Sequence, residues 1–202
     1  MSAEARPTLY VIAGPNGSGK STITTSILVH ASVPSIDPDT IARAIRSDAP
    51  ETVAMEAGRE ALRRQEQALA LGQSFAIETT LAGHGTLRLM EQARQQGFTV
   101  QLVFVCIDNV QTNIERVAQR TRRGGHYVPD DDVRRRYERS LGNLLPAIER
   151  AHQVTLIDNS SNQGPAEVLS IREGIIMAQA QALPRWVRAA LGPFLDQKRI
   201  DP

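Results

Sequence analysis

The stretch from Gly14 to Thr22 reads GPNGSGKST, and its residue types suit the binding of phosphate groups. It matches the pattern G-x-x-x-x-G-K-[ST] without a gap. Its glycines let the backbone curl so that successive N–H groups point at phosphate oxygens. The lysine can reach the β- and γ-phosphates of a nucleoside triphosphate, and the following hydroxyl can bind Mg²⁺. The predicted nucleotide-binding residues are Gly14, Pro15, Asn16, Gly17, Ser18, Gly19, Lys20, Ser21 and Thr22, with Ser21 as the metal ligand.

Composition strengthens the interpretation of Lys20. The chain has two lysines, Lys20 and Lys198, and 21 arginines among its 23 basic residues. Arginine and lysine are not interchangeable where a compact point charge is needed. A lysine at this position therefore indicates a phosphate-binding role.

Two acidic stretches follow predicted strands. SIDPDTIAR places Asp37 and Asp39 after a short apolar run, and SFAIETTLAG places Glu78 and Thr80 at the end of another. In an open α/β sheet the carboxyl ends of the strands face the ligand crevice. Asp39 could accept a proton from a hydroxyl nucleophile, or it could cap the helix that begins at Thr40. Asp37 is interpreted as a turn residue, and Glu78 with its neighbouring hydroxyls would suit a sugar or polyol.

A third stretch, RVAQRTRRGGHYVPDDDVRRRYERSLGNL, is rich in arginine. Two arginine-rich helices flanking a Gly-Gly-His loop are typical of a kinase lid, which brings cations onto a transferring phosphoryl group and excludes water. Helical spacing leaves at least half of these arginines solvated or paired with Asp130–Asp132. His126 is interpreted as a hydrogen-bonding residue of this loop. RNA binding is the competing interpretation of the stretch, but the net charge of the chain is only +1.

The elements that position these residues alternate between strands and helices. Apolar runs predict strands at Leu9–Ala13, Phe75–Ile77, Val100–Ile107 and Val154–Ile157, with a shorter candidate at Val33–Ile36. Amphipathic patterns predict helices at Lys20–His30, Thr52–Leu71, Gly85–Gln96, Val110–Thr121 and Asp131–Arg150. This order predicts a three-layer α/β/α domain of the P-loop kinase type, with a mostly parallel five-stranded sheet.

The 202 residues suit one domain, 1–202, with a helical lid at about 116–140 and a helical C-terminal segment at about 164–200. In that segment, Trp186, Val187, Leu191 and Leu195 form an apolar stripe that we expect to pack on the same domain. Cys106 lies in an apolar run and is expected to be a buried free thiol. The N-terminus lacks a signal-peptide pattern and no apolar run is of membrane-spanning length, so we expect a soluble cytoplasmic protein.

Several classes of P-loop protein fit poorly. The chain has no LSGGQ-like signature of an ABC ATPase and no N-K-x-D motif of a GTPase. Asp108 ends a long apolar strand, as a Walker B aspartate does, but no second acid follows it. A kinase is the class that remains best supported by the residues.

Together these stretches resemble the zeta toxin family of P-loop phosphotransferases. The resemblance rests on GPNGSGKST, SIDPDTIAR, FAIETTLAG, RRGGHYVPDDDVRRRYERSLGNL and LIDNS, which occur in the family's order from about Leu9 to Ser160. It is closest to the shorter zeta-like branch, often labelled "predicted ABC-type ATPase". Typical members are longer, with more elements around the sugar-nucleotide pocket.

The resemblance implies a role for each matching residue. Lys20 and Ser21 would bind the phosphates and Mg²⁺ of ATP, and Asp39 would be the general base. Glu78 and Thr80 would hold the substrate. The lid arginines that clamp phosphate would be Arg120 and Arg136, with His126 near the substrate. Asn159 would lie near the adenine.

The resemblance also implies a reaction and a partner. Family members transfer the γ-phosphate of ATP to the 3′-hydroxyl of the amino sugar in UDP-N-acetylglucosamine. A small helical antitoxin blocks their ATP site, and here it would be a separate chain. Two alternatives stay open: another small-molecule or nucleoside kinase, and an NTP-binding regulatory module without a phosphoryl acceptor.

Overall fold

The computed structural model describes residues 6–124 and 127–197. It contains one six-stranded sheet in the order β2-β1-β3-β4-β5-β6. The strands are β1 (Thr8–Ala13), β2 (Phe75–Thr79), β3 (Thr99–Cys106), β4 (Gln153–Asp158), β5 (Ala166–Arg172) and β6 (Ile175–Gln179). The first four strands are parallel, and the last two are antiparallel. The mostly parallel α/β fold is therefore confirmed, with six strands rather than five.

Helices connect and flank these strands. They are α1 (Lys20–Ala31), α2 (Pro38–Ile45), α3 (Ala54–Ala70), α4 (Gly85–Gln95), α5 (Val110–Arg122), α6 (Asp130–Gly142), α7 (Leu144–Glu149) and α8 (Arg185–Gln197). A 3-10 turn at Pro50–Val53 leads into α3. The single helix predicted over Asp131–Arg150 is divided at Asn143 into α6 and α7.

The C-terminal segment corrects the sequence interpretation. A helical pattern was predicted from Gly164 onward, whereas β5 and β6 form an antiparallel hairpin before α8 begins. The two strands are joined by Glu173 and Gly174, which both have positive φ, at 48° and 74°. Two adjacent residues of this kind form the tight turn whose twist matches that of paired strands.

The segment Val33–Ile36, a candidate strand, makes only a short parallel contact with the edge strand β2. Ser35 forms an isolated parallel bridge with Ala76 of β2. The N–H of Ile36 donates to the carbonyl of Ala76, and the N–H of Ala76 donates to the carbonyl of Pro34. The segment therefore runs parallel to β2, which brings the residues after Ile36 to the same edge of the sheet as the end of β2.

The core lies on both faces of the sheet. Phe75 of β2 and Phe98 before β3 are buried and pack edge to face, with ring centroids 6.3 Å apart. Cys106 is a buried free cysteine, as predicted, and burial raises the pKa of its thiol to about 12. The stripe on α8 packs into this core, where Trp186, Val187 and Leu191 are buried, so the expected intradomain packing is confirmed.

Across residues 6–124 and 127–197, no helix combines the length and the apolar character needed to cross a bilayer.

Candidate active site

The glycine-rich loop connects β1 to α1 and packs against β3 and α5. Gly14 and Gly17 have φ values of +140° and +76°, which side chains rarely tolerate. A Cβ atom at Gly14 would collide with the carbonyl of Val105, and one at Gly17 would collide with the carbonyl of Asn113. The loop therefore needs glycine both for its curl and for its close packing, and α1 begins directly after it at Lys20.

Lys20 is buried at the base of this loop. Its side chain is 7% exposed, and its Nζ atom donates to the carbonyl of Pro15 at 2.8 Å. Burial lowers the pKa of Lys20 to about 8, an effect that the nearby charge of Glu78 opposes and that of Arg120 reinforces. A buried cation with a lowered pKa favours the arrival of an anion, because phosphate oxygens would restore the stabilisation that water has lost.

Glu78 lies beside the first turn of α1. Its Oε1 atom accepts a hydrogen bond from the Ser21 hydroxyl at 3.3 Å, and its Oε2 atom accepts one from the Thr24 hydroxyl at 2.9 Å. This contact arises because β2 is the immediate neighbour of β1, so that the end of β2 meets the loop after β1. Glu78 therefore occupies the place next to the P-loop hydroxyl that a Walker B carboxylate would take.

The carboxylate of Asp108 is engaged with α8. Asp108 follows β3, and its Oδ1 atom accepts a hydrogen bond from the backbone N–H of Trp186 at 2.8 Å. Its carboxylate thus stabilises the start of α8, as an N-terminal cap would. Asp108 resembles a Walker B aspartate only in its position at the end of a strand.

The two aspartates before α2 have different roles. Asp37 caps α2, because its carboxylate accepts hydrogen bonds from the N–H groups of Asp39 and Thr40, and from the Thr40 hydroxyl. The cap alternative for Asp39 is therefore wrong, and Asp37, predicted to be a turn residue, is the cap instead. Pro38 occupies the first helical position, where its missing N–H costs nothing.

Asp39 lies in the first turn of α2 with its side chain exposed. Within the described part of the chain, its carboxylate accepts no hydrogen bond and forms no ion pair. The end of the Pro34–Ile36 segment brings it to the edge of the sheet where β2 ends. This exposed carboxylate is available to a hydroxyl group of a substrate.

Hydrogen bonds constrain the backbone of the loop after β2, which contains Thr80. The next residue, Leu81, is fully buried and has a φ of +57°, which is strained for a leucine. Its N–H donates to the Thr79 hydroxyl at 3.1 Å, and its carbonyl accepts from the Asn143 side chain at 2.8 Å. Sequence reasoning missed Leu81 and Asn143, since nothing local signals a positive φ at a leucine.

Two asparagines support the P-loop, one from α5 and one from the end of β4. Asn113 of α5 is fully buried and donates through Nδ2 to the carbonyl of Asn16 at 2.7 Å. The amide of Asn159, after β4, donates to the carbonyl of Ser18 at 2.9 Å. Asn159 was predicted near the adenine; here it contacts the P-loop backbone directly. Asn113 was not predicted, because a polar residue in an arginine-rich helix carries no distinguishing pattern.

Three buried polar atoms around this loop lack a hydrogen-bond partner among the described residues. They are Asn16 Oδ1, Ser18 Oγ and Asn113 Oδ1. Buried polar groups in folded proteins nearly all have a partner, supplied by protein, ordered water or a ligand. Their clustering at one loop is consistent with a binding site for a polar ligand.

The arginines of the predicted lid divide between two environments. Arg120 of α5 is exposed, and it lies near enough to Lys20 for its charge to lower the Lys20 pKa. Arg136 of α6 is half-buried and lies 3.7 Å from Asp132, and Arg135 pairs with the same carboxylate at 2.7 Å. The expected pairing of this cluster with the acids of Asp130–Asp132 is therefore observed. His126 lies outside the described residues.

The oxygen atoms at Ser21 and Glu78 suit Mg²⁺. Among the described residues, no cluster of three or more His, Cys, Asp and Glu side chains could enclose a metal ion. Mg²⁺ does not need such a cluster, because it is commonly held by one or two protein oxygens together with phosphates and waters. The Ser21 hydroxyl and the adjacent Glu78 carboxylate provide that pair of oxygens.

Comparison with known proteins places the chain in a family. The zeta toxin family model matches residues 1–172. An uncharacterized protein of Haemophilus influenzae is 36% identical over 124 residues, which are 61% of this chain and 88% of that protein.

Solved structures show the same fold. The structure of AvrRxo1-ORF1:-ORF2 with ATP is similar with a TM-score of 0.73 and 17% identity, covering 98% of this chain and 66% of that one. This chain thus spans just under two thirds of that neighbour's length. The PezAT chromosomal toxin–antitoxin system of Streptococcus pneumoniae is similar with a TM-score of 0.61 and 13% identity, covering 100% of this chain and 90% of that one. The P-loop geometry and the family match lead to one conclusion: this chain belongs to the zeta toxin family and has its P-loop kinase fold.

Proposed function

We propose that the chain is an ATP-dependent phosphotransferase that phosphorylates a hydroxyl group of a sugar nucleotide such as UDP-N-acetylglucosamine. The observation that carries the proposal is the convergence of Lys20, Ser21 and Glu78 at the end of β1 and β2. The similar AvrRxo1 structure was solved with ATP, which supports ATP as the phosphoryl donor here.

Binding would begin at the P-loop. Lys20 would exchange its contact with the Pro15 carbonyl for phosphate oxygens, which neutralise a buried cation better than a carbonyl does. Ser21 and Glu78 would hold Mg²⁺, which when bound offsets the negative charge of the β- and γ-phosphates. Arg120, whose charge already acts on Lys20, would add a cation from the lid.

The acceptor hydroxyl would be activated by Asp39. Its carboxylate is exposed and lies in the first turn of α2, beside the edge of the sheet that carries Glu78. Asp39 would take the proton of the hydroxyl as it attacks, an effect typically worth about 10² to 10⁴ in rate. Thr80, in the constrained loop before Leu81, would help to orient the acceptor, as would His126 of the lid. Arg136 would join Arg120 in clamping the transferred phosphoryl group.

Glu78 would contact both the phosphate-binding part of the site and the acceptor. Both of its carboxylate oxygens accept hydrogen bonds from α1 hydroxyls, but each oxygen has a second lone pair. A sugar hydroxyl could therefore donate to the same carboxylate that orients Ser21.

A product screen tests this proposal. The purified chain is incubated with ATP, Mg²⁺ and UDP-N-acetylglucosamine, and the products are analysed by mass spectrometry, with Lys20→Met as the inactive control. Addition of one phosphate to the amino sugar supports the proposal. Transfer to nucleosides or antibiotic hydroxyls instead would retain the kinase and reject the acceptor. If ATP binds but no hydroxyl compound is phosphorylated, the chain is a nucleotide-binding module.

We also propose that a separate antitoxin chain binds this protein. The support comes from two neighbours: PezAT is a toxin–antitoxin system, and the AvrRxo1 structures contain ORF1 with ORF2. The proposal is tested by co-expression with the product of an adjacent small reading frame. Co-purification that lowers ATP binding supports it, and independent migration of the two chains contradicts it.

A further inference from the structure

Trp186 is buried at the start of α8, after the end of the family match at residue 172. Its indole Nε1–H donates to Asp158 Oδ1 at 2.9 Å, and its backbone N–H donates to Asp108 Oδ1 at 2.8 Å. Its ring packs against Phe104 of β3, with ring centroids 5.6 Å apart. One residue of α8 is thereby bonded to the ends of two neighbouring strands, β3 and β4.

A hydroxyl closes these bonds into a ring. Ser160 Oγ donates to Asp158 Oδ1 at 2.8 Å and accepts from the backbone N–H of Asp108 at 3.0 Å. The ring therefore runs from Trp186 through Asp108, Ser160 and Asp158 back to Trp186. In a connected network of this kind each bond helps to fix the geometry of the next.

Two members of the ring flank Asn159, a residue that bonds the P-loop backbone. Asn159 lies between Asp158 and Ser160, and its backbone N–H donates to the carbonyl of Cys106 at 2.8 Å. Its side-chain amide donates to the Ser18 carbonyl at 2.9 Å and lies so close to Gly19 that a Cβ atom there would collide with it. Arg116 donates to the Asn159 carbonyl at 3.3 Å.

We propose that α8 is a positioning element of the nucleotide site, acting from Trp186 through Asp158 and Asn159 on the P-loop. The hydrogen bond from the Asn159 amide fixes the direction of the Ser18 carbonyl. The N–H groups of the residues after Ser18 would therefore stay directed at the phosphates. Without this bond the loop would spend part of its time in other conformations, and the apparent ATP affinity would fall in proportion. The inference rests on the proposed function only in requiring that the P-loop binds ATP.

Direct measurement of ATP binding by calorimetry tests this inference in the full-length chain. Trp186→Phe keeps a buried ring but removes the indole donor, and Asn159→Ala removes the P-loop contact from a partly exposed position. We expect each change to weaken ATP binding about five- to tenfold, as the loss of one hydrogen bond would. The double variant should be little worse than either single variant, since both changes break the same path. The turnover rate of Trp186→Phe at saturating ATP should stay within about twofold of wild type.

Val187→Ala is the matched control. Val187 is fully buried on the same helix but takes no part in the ring, so its truncation lowers the melting temperature through a packing defect. We expect this variant to bind ATP with wild-type affinity. Because Trp186 is the one tryptophan of the chain, its emission also reports on the ring, and ATP should change it in wild type but not in Asn159→Ala.

Two results would overturn the inference. One is ATP affinity in Trp186→Phe and Asn159→Ala within twofold of wild type. The other is an equal loss of affinity in Val187→Ala, which would reduce the role of α8 to general stability. A wild-type chain that fails to bind ATP would instead contradict the proposed function, and the inference with it.

Discussion

The Glu78 carboxylate lies 3.3 Å from the Ser21 hydroxyl, although 57 positions separate the two residues in the chain. The contact links the end of β2 to the first turn of α1, where a P-loop kinase places its metal and phosphates. We propose that Glu78 acts toward Mg²⁺ in addition to making the substrate contact that the family resemblance implies.

Glu78→Gln separates these two roles. Glutamine keeps the shape and a hydrogen-bond acceptor but loses the negative charge that favours Mg²⁺. We expect the Mg²⁺ concentration for half-maximal turnover to rise about tenfold, with a smaller change in KM for the acceptor. Titration of turnover with Mg²⁺ at fixed ATP measures this. A large rise in the acceptor KM at unchanged Mg²⁺ dependence would instead assign Glu78 to the substrate.

Lys20→Met should abolish ATP binding while making the nucleotide-free protein more stable. The buried ammonium is destabilised by the loss of water, as its lowered pKa shows, and methionine fills similar space without a charge. At neutral pH we expect the free energy of unfolding to rise by about 1–3 kcal/mol. Chemical denaturation without nucleotide checks the stability, and calorimetry checks the binding. A less stable variant would show that the bond to the Pro15 carbonyl outweighs the desolvation of the charge.

The lowered pKa of Lys20 also predicts two opposite pH dependences. Between pH 8 and 10.5 the unfolded chain holds a proton on Lys20 that the folded chain has lost, so the contribution of Lys20 to the free energy of unfolding rises with pH. ATP affinity should fall above pH 8, because binding then requires Lys20 to take up a proton.

Denaturation and ATP titration of wild type from pH 7 to 10 measure these trends, with Lys20→Met as the reference for stability. That reference is needed because Cys106 and Tyr137 have pKa values raised by burial, and both also titrate on unfolding at alkaline pH. An ATP affinity that does not change between pH 7 and 9 would contradict the pKa assigned to Lys20.

Arg120→Ala should reduce turnover more than ATP affinity. Arg120 belongs to the predicted lid and its charge acts on Lys20, and its cation would stabilise charge that develops during transfer. We expect the turnover rate to fall about 10²- to 10³-fold, with ATP affinity changed less than about fivefold. The control is Arg135→Ala, because Arg135 pairs with Asp132 on its own helix and is exposed. Equal losses in the two variants would indicate a general charge effect of the lid.

The parts of this structure that the sequence predicts are those with local signals. The P-loop is a contiguous motif, and β1, β3 and β4 are apolar runs buried in a parallel sheet. The cap of α2 also has a local signal in the sequence. Proline favours the first position of a helix, so Pro38 indicates Asp37 as the cap and leaves Asp39 free.

The remaining features depend on contacts between distant parts of the chain. The β5–β6 hairpin is short and partly exposed, so its burial pattern is weak, and the Glu173–Gly174 turn was its main signal. The contacts of Glu78 with Ser21 and of Trp186 with Asp158 require the strand order, which a single sequence does not specify.

The Asp39→Asn variant decides whether Asp39 activates the acceptor hydroxyl beside a P-loop that holds the donor. Single-turnover transfer of the labelled γ-phosphate to UDP-N-acetylglucosamine is measured alongside ATP affinity, with Asp37→Asn as the control because asparagine also caps a helix. We expect Asp39→Asn to slow transfer about 10²- to 10⁴-fold, with ATP affinity within twofold of wild type. Asp37→Asn should transfer phosphate normally. Transfer at the wild-type rate in Asp39→Asn, or a loss confined to ATP binding, would show that Asp39 is not the general base.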